Sequence, residues 1–275
     1  MKQNFSVSMC VYGKDNPEWF KTAVDSILQQ TAEPDEIVLV VDGPVPDELN
    51  SVIIDYEGRN EFKVIRFAEN KGHGEARRAG VAACTNELVA IMDADDISAS
   101  NRFEQLLGEF NKDKTVDVVG SQISEFVGEP ENIVGSRIVP TRDIDIKEYL
   151  KRRCPMNLVS VMFKKSSVEQ VGGFIDWYCE EDYFLWARMA LAGMHFSNVD
   201  AVLVNVRVGK DMYQRPGGSK YFQSEKKLQK YLYQNKIIGV GTYCVNVTER
   251  FILQVLMPNR LRGWVFRQFA RENQS

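Results

Sequence analysis

Long hydrophobic runs are missing from this chain: no window reaches the ~18 consecutive apolar residues that a membrane-spanning helix needs. The opening Met1-Lys2-Gln3-Asn4-Phe5-Ser6 also lacks the apolar core of a signal peptide. Histidine is scarce, with His73 and His195 the only two. Neither has His, Cys or Asp partners at ligand spacing, which argues against zinc, and His195 reads as a packed core residue. The five cysteines (Cys10, Cys84, Cys154, Cys179 and Cys244) form no CxxC pair. An odd, scattered set suits reduced, buried thiols and a cytoplasmic setting better than disulfides. There is no excess of positive charge, 34 Lys and Arg standing against 38 Asp and Glu, so no global field points to nucleic acid. Repeats, low-complexity tracts and Pro/Ser-rich linkers are absent as well. What is present, 44% hydrophobic and 26% charged residues over 275 positions, describes an ordinary globular protein with room for a sizeable core.

The first third alternates two periodicities. Val7–Val11 is a β-prone run that ends in a turn at Tyr12-Gly13. Phe20, Ala23, Val24, Ile27 and Leu28 then recur at helical spacing behind Pro17, a residue suited to a first helical turn. Ile37–Val41 is apolar without alternation, as expected of a strand covered on both faces, and stops at Asp42-Gly43-Pro44. Leu49–Tyr56 reads as a helix, Phe62–Phe67 as a strand, Gly74–Cys84 as a helix and Leu88–Met92 as a strand ending at Asp93. This rhythm implies an α/β fold built from βαβ units with right-handed crossovers. Tyr12, Asp42, Asn70-Lys71 and Asp93–Asp96 all fall where strands end, the edge at which open α/β sheets bind ligands. Farther on, the pattern predicts a helix over Phe103–Phe110 and strands over Val116–Gly120, Val159–Phe163 and Ala201–Val208. It predicts irregular structure over Glu125–Asp145, and helices up to Gly172-Gly173, over Phe184–Ala192 and over Tyr221–Gln234. Residues 1–220 parse as one catalytic domain and 221–275 as a C-terminal helical appendage.

Two acidic clusters carry chemistry. Asp93-Ala94-Asp95-Asp96 follows an apolar strand; carboxylates two apart in a tight turn can both reach a crevice. Mg²⁺ or Mn²⁺ takes a few hard oxygens plus phosphates, so such a sparse set suits it, and the ion would neutralise a departing diphosphate. The same residues also suit the cap of the following helix. Glu180-Glu181-Asp182 precedes a helical pattern, where acids are favoured by the helix dipole and where a general base could equally sit. Gly72-His73-Gly74 lacks the Gly-Lys-Ser/Thr ending of a phosphate-binding loop and reads as a tight turn into a helix.

Taken in order, Val7–Tyr12, Ser26–Thr31, Val40–Pro44, Asn70–Gly72, Asp93–Asp96, Val171–Phe174 and Glu180–Tyr183 resemble the motifs of the family-2 inverting glycosyltransferases with the GT-A fold. The likeness runs over about residues 5 to 210 and extends to bacterial enzymes of exopolysaccharide and O-antigen assembly, the amylovoran type among them. It implies a mixed, largely parallel sheet flanked by helices. It also implies transfer of a sugar from a nucleotide diphosphate, of the UDP type, to a saccharide or lipid-linked saccharide acceptor in cell-surface polysaccharide synthesis. By the resemblance, Cys10, Val11 and Tyr12 pack by the nucleoside, Asp42 bonds the uracil, and Lys71 approaches the diphosphate. Asp95 binds the metal, with Asp93 assisting or holding the ribose. Asp182 is the base that deprotonates the acceptor hydroxyl, and Glu181 orients it or touches the acceptor. Asp96 is left as a helix cap.

The chain also departs from that pattern. Arg207-Val208-Gly209 stands where relatives often carry a histidine near the diphosphate, so that role is unfilled or passes to Lys210 or Arg215. The Gly-rich, basic loop 211–220 reads as a lid over the donor. Leu158 stands where exopolysaccharide relatives often have histidine, which puts acceptor contacts in question. In the tail, Phe251, Ile252, Val255, Leu256, Trp264 and Phe266 interleave with arginines. That pattern fits an interfacial helix on the anionic inner face of the cytoplasmic membrane, and equally a helix docked on the core or on a second copy. Two rivals remain: a nucleotidyltransferase, whose basic glycine-rich start is missing, and a non-catalytic binding module, which would need neither Asp95 nor Asp182.

Overall fold

The computed structural model describes residues 3–209 and 218–257. Its first half follows the alternation: β1 (Phe5–Tyr12), α1 (Pro17–Leu28), β2 (Glu36–Asp42), α2 (Asp47–Glu57), β3 (Phe62–Arg66), α3 (His73–Ala83) and β4 (Leu88–Asp93). Asn16 caps α1, its Oδ1 accepting from the backbone N–H groups of Glu18 and Trp19 at 2.9 and 3.1 Å, with Pro17 at the first helical position. β2 is buried along both faces, Ile37, Leu39 and Val41 facing one apolar layer and Val38 the other. That double burial is why its sequence shows no alternation.

The second half contains β5 (Ile97–Ser98), α4 (Arg102–Lys112), β6 (Val116–Phe126), β7 (Ile133–Arg137), α5 (Asp143–Leu150), β8 (Met162–Lys164), α6 (Lys165–Gln170), α7 (Glu181–Leu191), β9 (His195–Arg207), α8 (Ser219–Gln234) and α9 (Val240–Phe251). α9 continues into a π-helical turn over Ile252–Leu256. The strands form one mixed sheet in the order β3-β2-β1-β4-β8-β6-β9-β5, with β7 on β6. Its long ladders (β1 with β2 and β4, β2 with β3, β6 with β9) are parallel, and its short ones antiparallel. One apolar layer packs α1, α2 and α4 on the sheet, and the other packs α3 and α5 to α8.

Several expectations need correction. The segment 125–145 is not irregular, since it holds the end of β6, β7 and the start of α5. β6 is buried throughout, yet it carries Ser121, Gln122, Ser124 and Glu125. Gln122 exchanges two hydrogen bonds with the Val139 backbone, and Ser124 Oγ donates to Asn205 Oδ1 at 2.6 Å. A strand whose inward groups are polar but paired does not read as a strand by hydropathy. The strand expected over Val159–Phe163 begins as a 3₁₀ turn at Leu158–Ser160, because Ser160 and Asn157 turn to donate to the Ser121 carbonyl. α7 starts at Glu181, so all but the first of the three acids are helical. His195 is exposed at the start of β9 rather than packed in the core. Lys210 and Arg215, the lid reading over 211–217 and the tail from 258 onward lie outside the described residues. Among the described residues no helix is long and apolar enough to cross a membrane.

Candidate active site

Parallel pairing fixes where the residues expected on the donor side meet. Cys10 is in register with Asp93 on β4, and Tyr12 with Asp42 on β2, so three strand ends deliver their side chains to one edge. Asp42 is buried, and its two carboxylate oxygens accept the backbone N–H groups of Lys71 (2.6 Å) and Gly72 (2.9 Å). The carboxylate thereby holds the loop that enters α3. Gly43 makes the approach possible: its φ is +89°, and a Cβ there would lie 2.6 Å from Asn70 N. Lys71 Nζ rests over the Phe67 ring at 4.7 Å. Tyr12 meets His73 edge-on at 5.9 Å between ring centroids, and its backbone N–H donates to Asp15 Oδ2 at 2.9 Å.

Negative charge accumulates at this edge. Burial, followed by the neighbouring Asp93 and Asp15, pushes the Asp95 carboxyl up to about 6. Asp15 is likewise raised to about 6, first by burial. The Cys10 thiol is pushed up to about 12 by burial, against the pull of Arg77. Asp96 does not cap a helix: Asn101 precedes α4, and Asp96 Oδ1 accepts the Arg207 backbone N–H at 3.0 Å. Asp96 therefore ties the acidic turn to the end of β9. Arg207 completes that tie, donating from Nε to the Asp95 carbonyl (3.2 Å) and from a terminal guanidinium nitrogen to the Gly128 carbonyl (2.8 Å). Its guanidinium lies 4.7 Å from the Trp19 ring and 4.6 Å from that of Phe126.

The second acidic cluster stands at the first turn of α7, with Glu181 and Asp182 in the helix and Glu180 just before it. Asp182 Oδ1 accepts the Tyr183 backbone N–H at 2.7 Å, and Cys154 Sγ donates to Oδ2 at 3.4 Å. Tyr183 is fixed in turn by its hydroxyl, which donates to the Leu150 carbonyl. Gly74 lets the start of α3 come close to this loop, since a Cβ there would be 3.1 Å from Asp176 Cα.

The two acidic sites are joined by Arg77 of α3. Its buried guanidinium pairs with Asp93 Oδ1 at 3.0 Å and with Glu181 Oε1 at 2.8 Å, and this pairing keeps it firmly charged against the cost of burial. Sequence reasoning passed over Arg77 and Asp15, and named Cys154, Glu180 and Arg207 without giving them a role in the site. The one signal for Arg77 was its place on the buried face of α3, beside Gly74, Ala76, Gly80 and Val81.

A divalent ion fits the donor edge. Asp93 and Asp95 offer hard oxygens; burial and then the charge of Asp93 raise both Asp95 and Asp15, a crowding of carboxylates that a cation would relieve. Among the described residues no three His, Cys, Asp or Glu side chains group into a metal centre of their own, so phosphate oxygens would have to complete the coordination.

Comparison with known proteins agrees with this architecture. The family model "Glycosyl transferase family 2" matches residues 6–170. The chain is 36% identical over 267 residues to a UDP-Gal:alpha-D-GlcNAc-diphosphoundecaprenol beta-1,3-galactosyltransferase of Escherichia coli, covering 97% of this chain and 96% of that protein. It is 31% identical to the amylovoran biosynthesis glycosyltransferase AmsE of Erwinia amylovora, covering 95% and 97%. Among solved structures, TarS of S. aureus superposes with a TM-score of 0.68 at 14% identity, covering 96% of this chain but only 48% of the TarS chain. A shorter TarS, residues 1–349 in complex with UDP-GlcNAc, gives the same TM-score with 79% of that chain covered. The mannosyltransferase PcManGT of Pyrobaculum calidifontis, in complex with GDP-Man and Mn²⁺, superposes with a TM-score of 0.62 at 16% identity, covering 96% and 74%. The fold is GT-A, the rival binding-module and nucleotidyltransferase readings are not favoured, and the chain belongs to glycosyl transferase family 2.

Proposed function

We propose that the enzyme transfers a sugar from a UDP-sugar to a hydroxyl of a lipid-linked, diphosphate-bearing saccharide, with inversion, at the inner face of the cytoplasmic membrane. The observation that carries this reading is the pair of acidic sites bridged by Arg77, one at the end of β4 and one at the start of α7. Two carboxylate groups with different surroundings suit two jobs: one holds a nucleotide diphosphate, the other takes a proton. Cys10, Val11 and Tyr12 line the nucleoside side, Asp42 keeps the Lys71 loop beside it, and Lys71 or Arg215 meets the diphosphate. Asp95 and Asp93 would hold Mn²⁺ or Mg²⁺, which when bound supplies Lewis-acid neutralisation of the leaving diphosphate. On the acceptor side, Asp182 Oδ2 takes the proton of the attacking hydroxyl, while Glu181 is held in place by Arg77. A carboxylate in that position accelerates attack by roughly 10²–10⁴-fold. The relative from E. coli is named for a UDP-galactose donor and a diphosphoundecaprenol acceptor, and the PcManGT complex contains Mn²⁺, which supports the donor, acceptor and metal assignments together.

The test is a transfer assay with UDP-sugars and a diphospholipid-linked N-acetylglucosamine acceptor. Activity is expected to disappear with EDTA and return with Mn²⁺. The Asp182→Asn variant is expected to lose roughly 10²–10⁴-fold in kcat while donor binding is kept. Full activity in the Asp182→Asn variant would remove Asp182 from the mechanism. Activity untouched by EDTA would remove the metal.

A further inference from the structure

α9 is built inside out. A helix on the surface of a globular protein normally turns its apolar stripe inward. Here Tyr243 packs on the core, but the inward positions four residues apart along α9 and its π-helical turn are the polar Asn246, Arg250 and Gln254. Asn246 Nδ2 donates to the Lys151 carbonyl (2.9 Å) and to Gln229 Oε1 (2.8 Å). Arg250 pairs with Glu225 Oε2 at 2.7 Å and donates to the Arg152 carbonyl at 2.7 Å, and Gln254 Nε2 donates to Glu225 Oε2 at 2.7 Å. The outward positions carry the hydrophobes: Val240 is 63% exposed, Val245 60%, Ile252 45%, Val255 39% and Leu256 62%. Gly241, Cys244 and Thr248 lie exposed between them and add no charge, and Glu249 is the one exposed charged residue of the helix. An apolar face of this length turned to water is a binding surface rather than a packing accident.

Charge identifies the occupant. From residue 218 to the end, ten Lys and Arg stand against three Asp and Glu, whereas the preceding 217 residues hold 24 against 35. The chain is acidic as a whole, whereas the described stretch 218–257, which holds α8 and α9, carries six Lys and Arg against two Glu. α8 packs beside α9, with Phe222 on Phe251 at 5.3 Å and Tyr233 on Tyr243 at 5.5 Å, and it exposes Lys226 and Lys230. An apolar stripe in a cationic setting matches an anionic lipid surface, where hydrophobes enter the acyl boundary and lysines meet headgroups. A second copy of the chain would bring like charges together.

We propose that the outward face of α9 docks the enzyme on an anionic bilayer. Docking rests for its purpose, though not for its chemistry, on the lipid-linked acceptor read above. The same helix reaches the acceptor side from within. Arg250 and Gln254 hold Glu225, and Glu225 stands beside Glu180, two residues before Asp182. The element that touches lipid is thus separated from the loop carrying the base by one layer of paired side chains.

The test is co-sedimentation of the full chain with phosphatidylglycerol-containing vesicles and with phosphatidylcholine vesicles, alongside the double variant Val245→Asp/Ile252→Asp. Wild type is expected to partition onto the anionic vesicles, less so in high salt, and weakly onto the neutral ones. The variant, whose substitutions fall at exposed positions, should melt with wild type, bind vesicles roughly tenfold less, and turn over a short-chain soluble acceptor unchanged while losing turnover of a vesicle-embedded one. Equal partitioning of variant and wild type overturns the proposal, as does equal loss on both acceptors. A dimeric wild type whose variant is monomeric, with no vesicle binding by either, would make the face a self-association surface and overturn it too. If wild type partitions yet turns over no lipid-linked acceptor, docking stands and the acceptor reading fails.

Discussion

Arg77 is the residue on which both acidic sites lean. Its side chain is 9% exposed, against 31% for Asp93 and 18% for Glu181, so its removal would leave two carboxylates facing each other with little water to screen them. The Arg77→Met variant should lose on the order of 2 kcal/mol of stability, less than a fully buried pair because a third of Asp93 is wet. Urea denaturation would measure it, and a loss below a few tenths of a kcal/mol would contradict the bridging role. The two acidic clusters could be found from the sequence because they end a strand or start a helix, positions that hydropathy marks. Arg77 could not. A cation inside a helical pattern reads as a solvated residue unless its partners, 16 and 104 positions away along the chain, are already known to be near.

Among the elements, α7 and α8 make a buried acidic contact that costs stability. Burial, then the neighbouring Glu225 and Asp182, raises the Glu180 carboxyl well above its ordinary value, with Arg250 opposing. A raised carboxyl holds its proton more tightly in the folded than in the unfolded state. Its contribution is fully present below the ordinary carboxylate range and is lost as pH rises through the folded-state value. Wild type should therefore lose stability as pH is raised from the carboxylate range toward alkaline, and Glu180→Gln, which cannot ionise, should lose less. Denaturation curves at several pH values decide it; identical slopes for the two proteins would remove Glu180 as the cause. Hydropathy marked β6 only over Val116–Gly120 and α9 only as part of a helical appendage, and one physical reason covers both. β6 satisfies its inward polar groups with specific partners such as Val139 and Asn205, and α9 has its hydrophobes outside. Periodicity assumes that apolar means inward, and both elements break that assumption while pairing inward polar groups such as Gln122 and Asn246.

For the molecule as a whole, the parallel βαβ half of the sheet followed from the alternation of strand and helix patterns, because parallel strands buried on both faces leave an apolar run without alternation, whereas the strand order did not. Donor binding should stiffen that edge globally. At a UDP-sugar concentration near 100 times its Kd with Mn²⁺, the fold should gain about 2.7 kcal/mol, a rise of roughly 5–10 °C in melting temperature for a chain of this size. No shift with any nucleotide diphosphate would contradict donor binding at this edge.

The single guanidinium between the two acidic sites has a consequence in linkage terms. Asp93 and Glu181 share Arg77, so a cation or ligand that draws Asp93 away leaves the guanidinium free to settle more closely on Glu181. On the proposed reading, filling the donor half is expected to change affinity in the acceptor half. By thermodynamic reciprocity the donor must feel the acceptor by the same factor that the acceptor feels the donor.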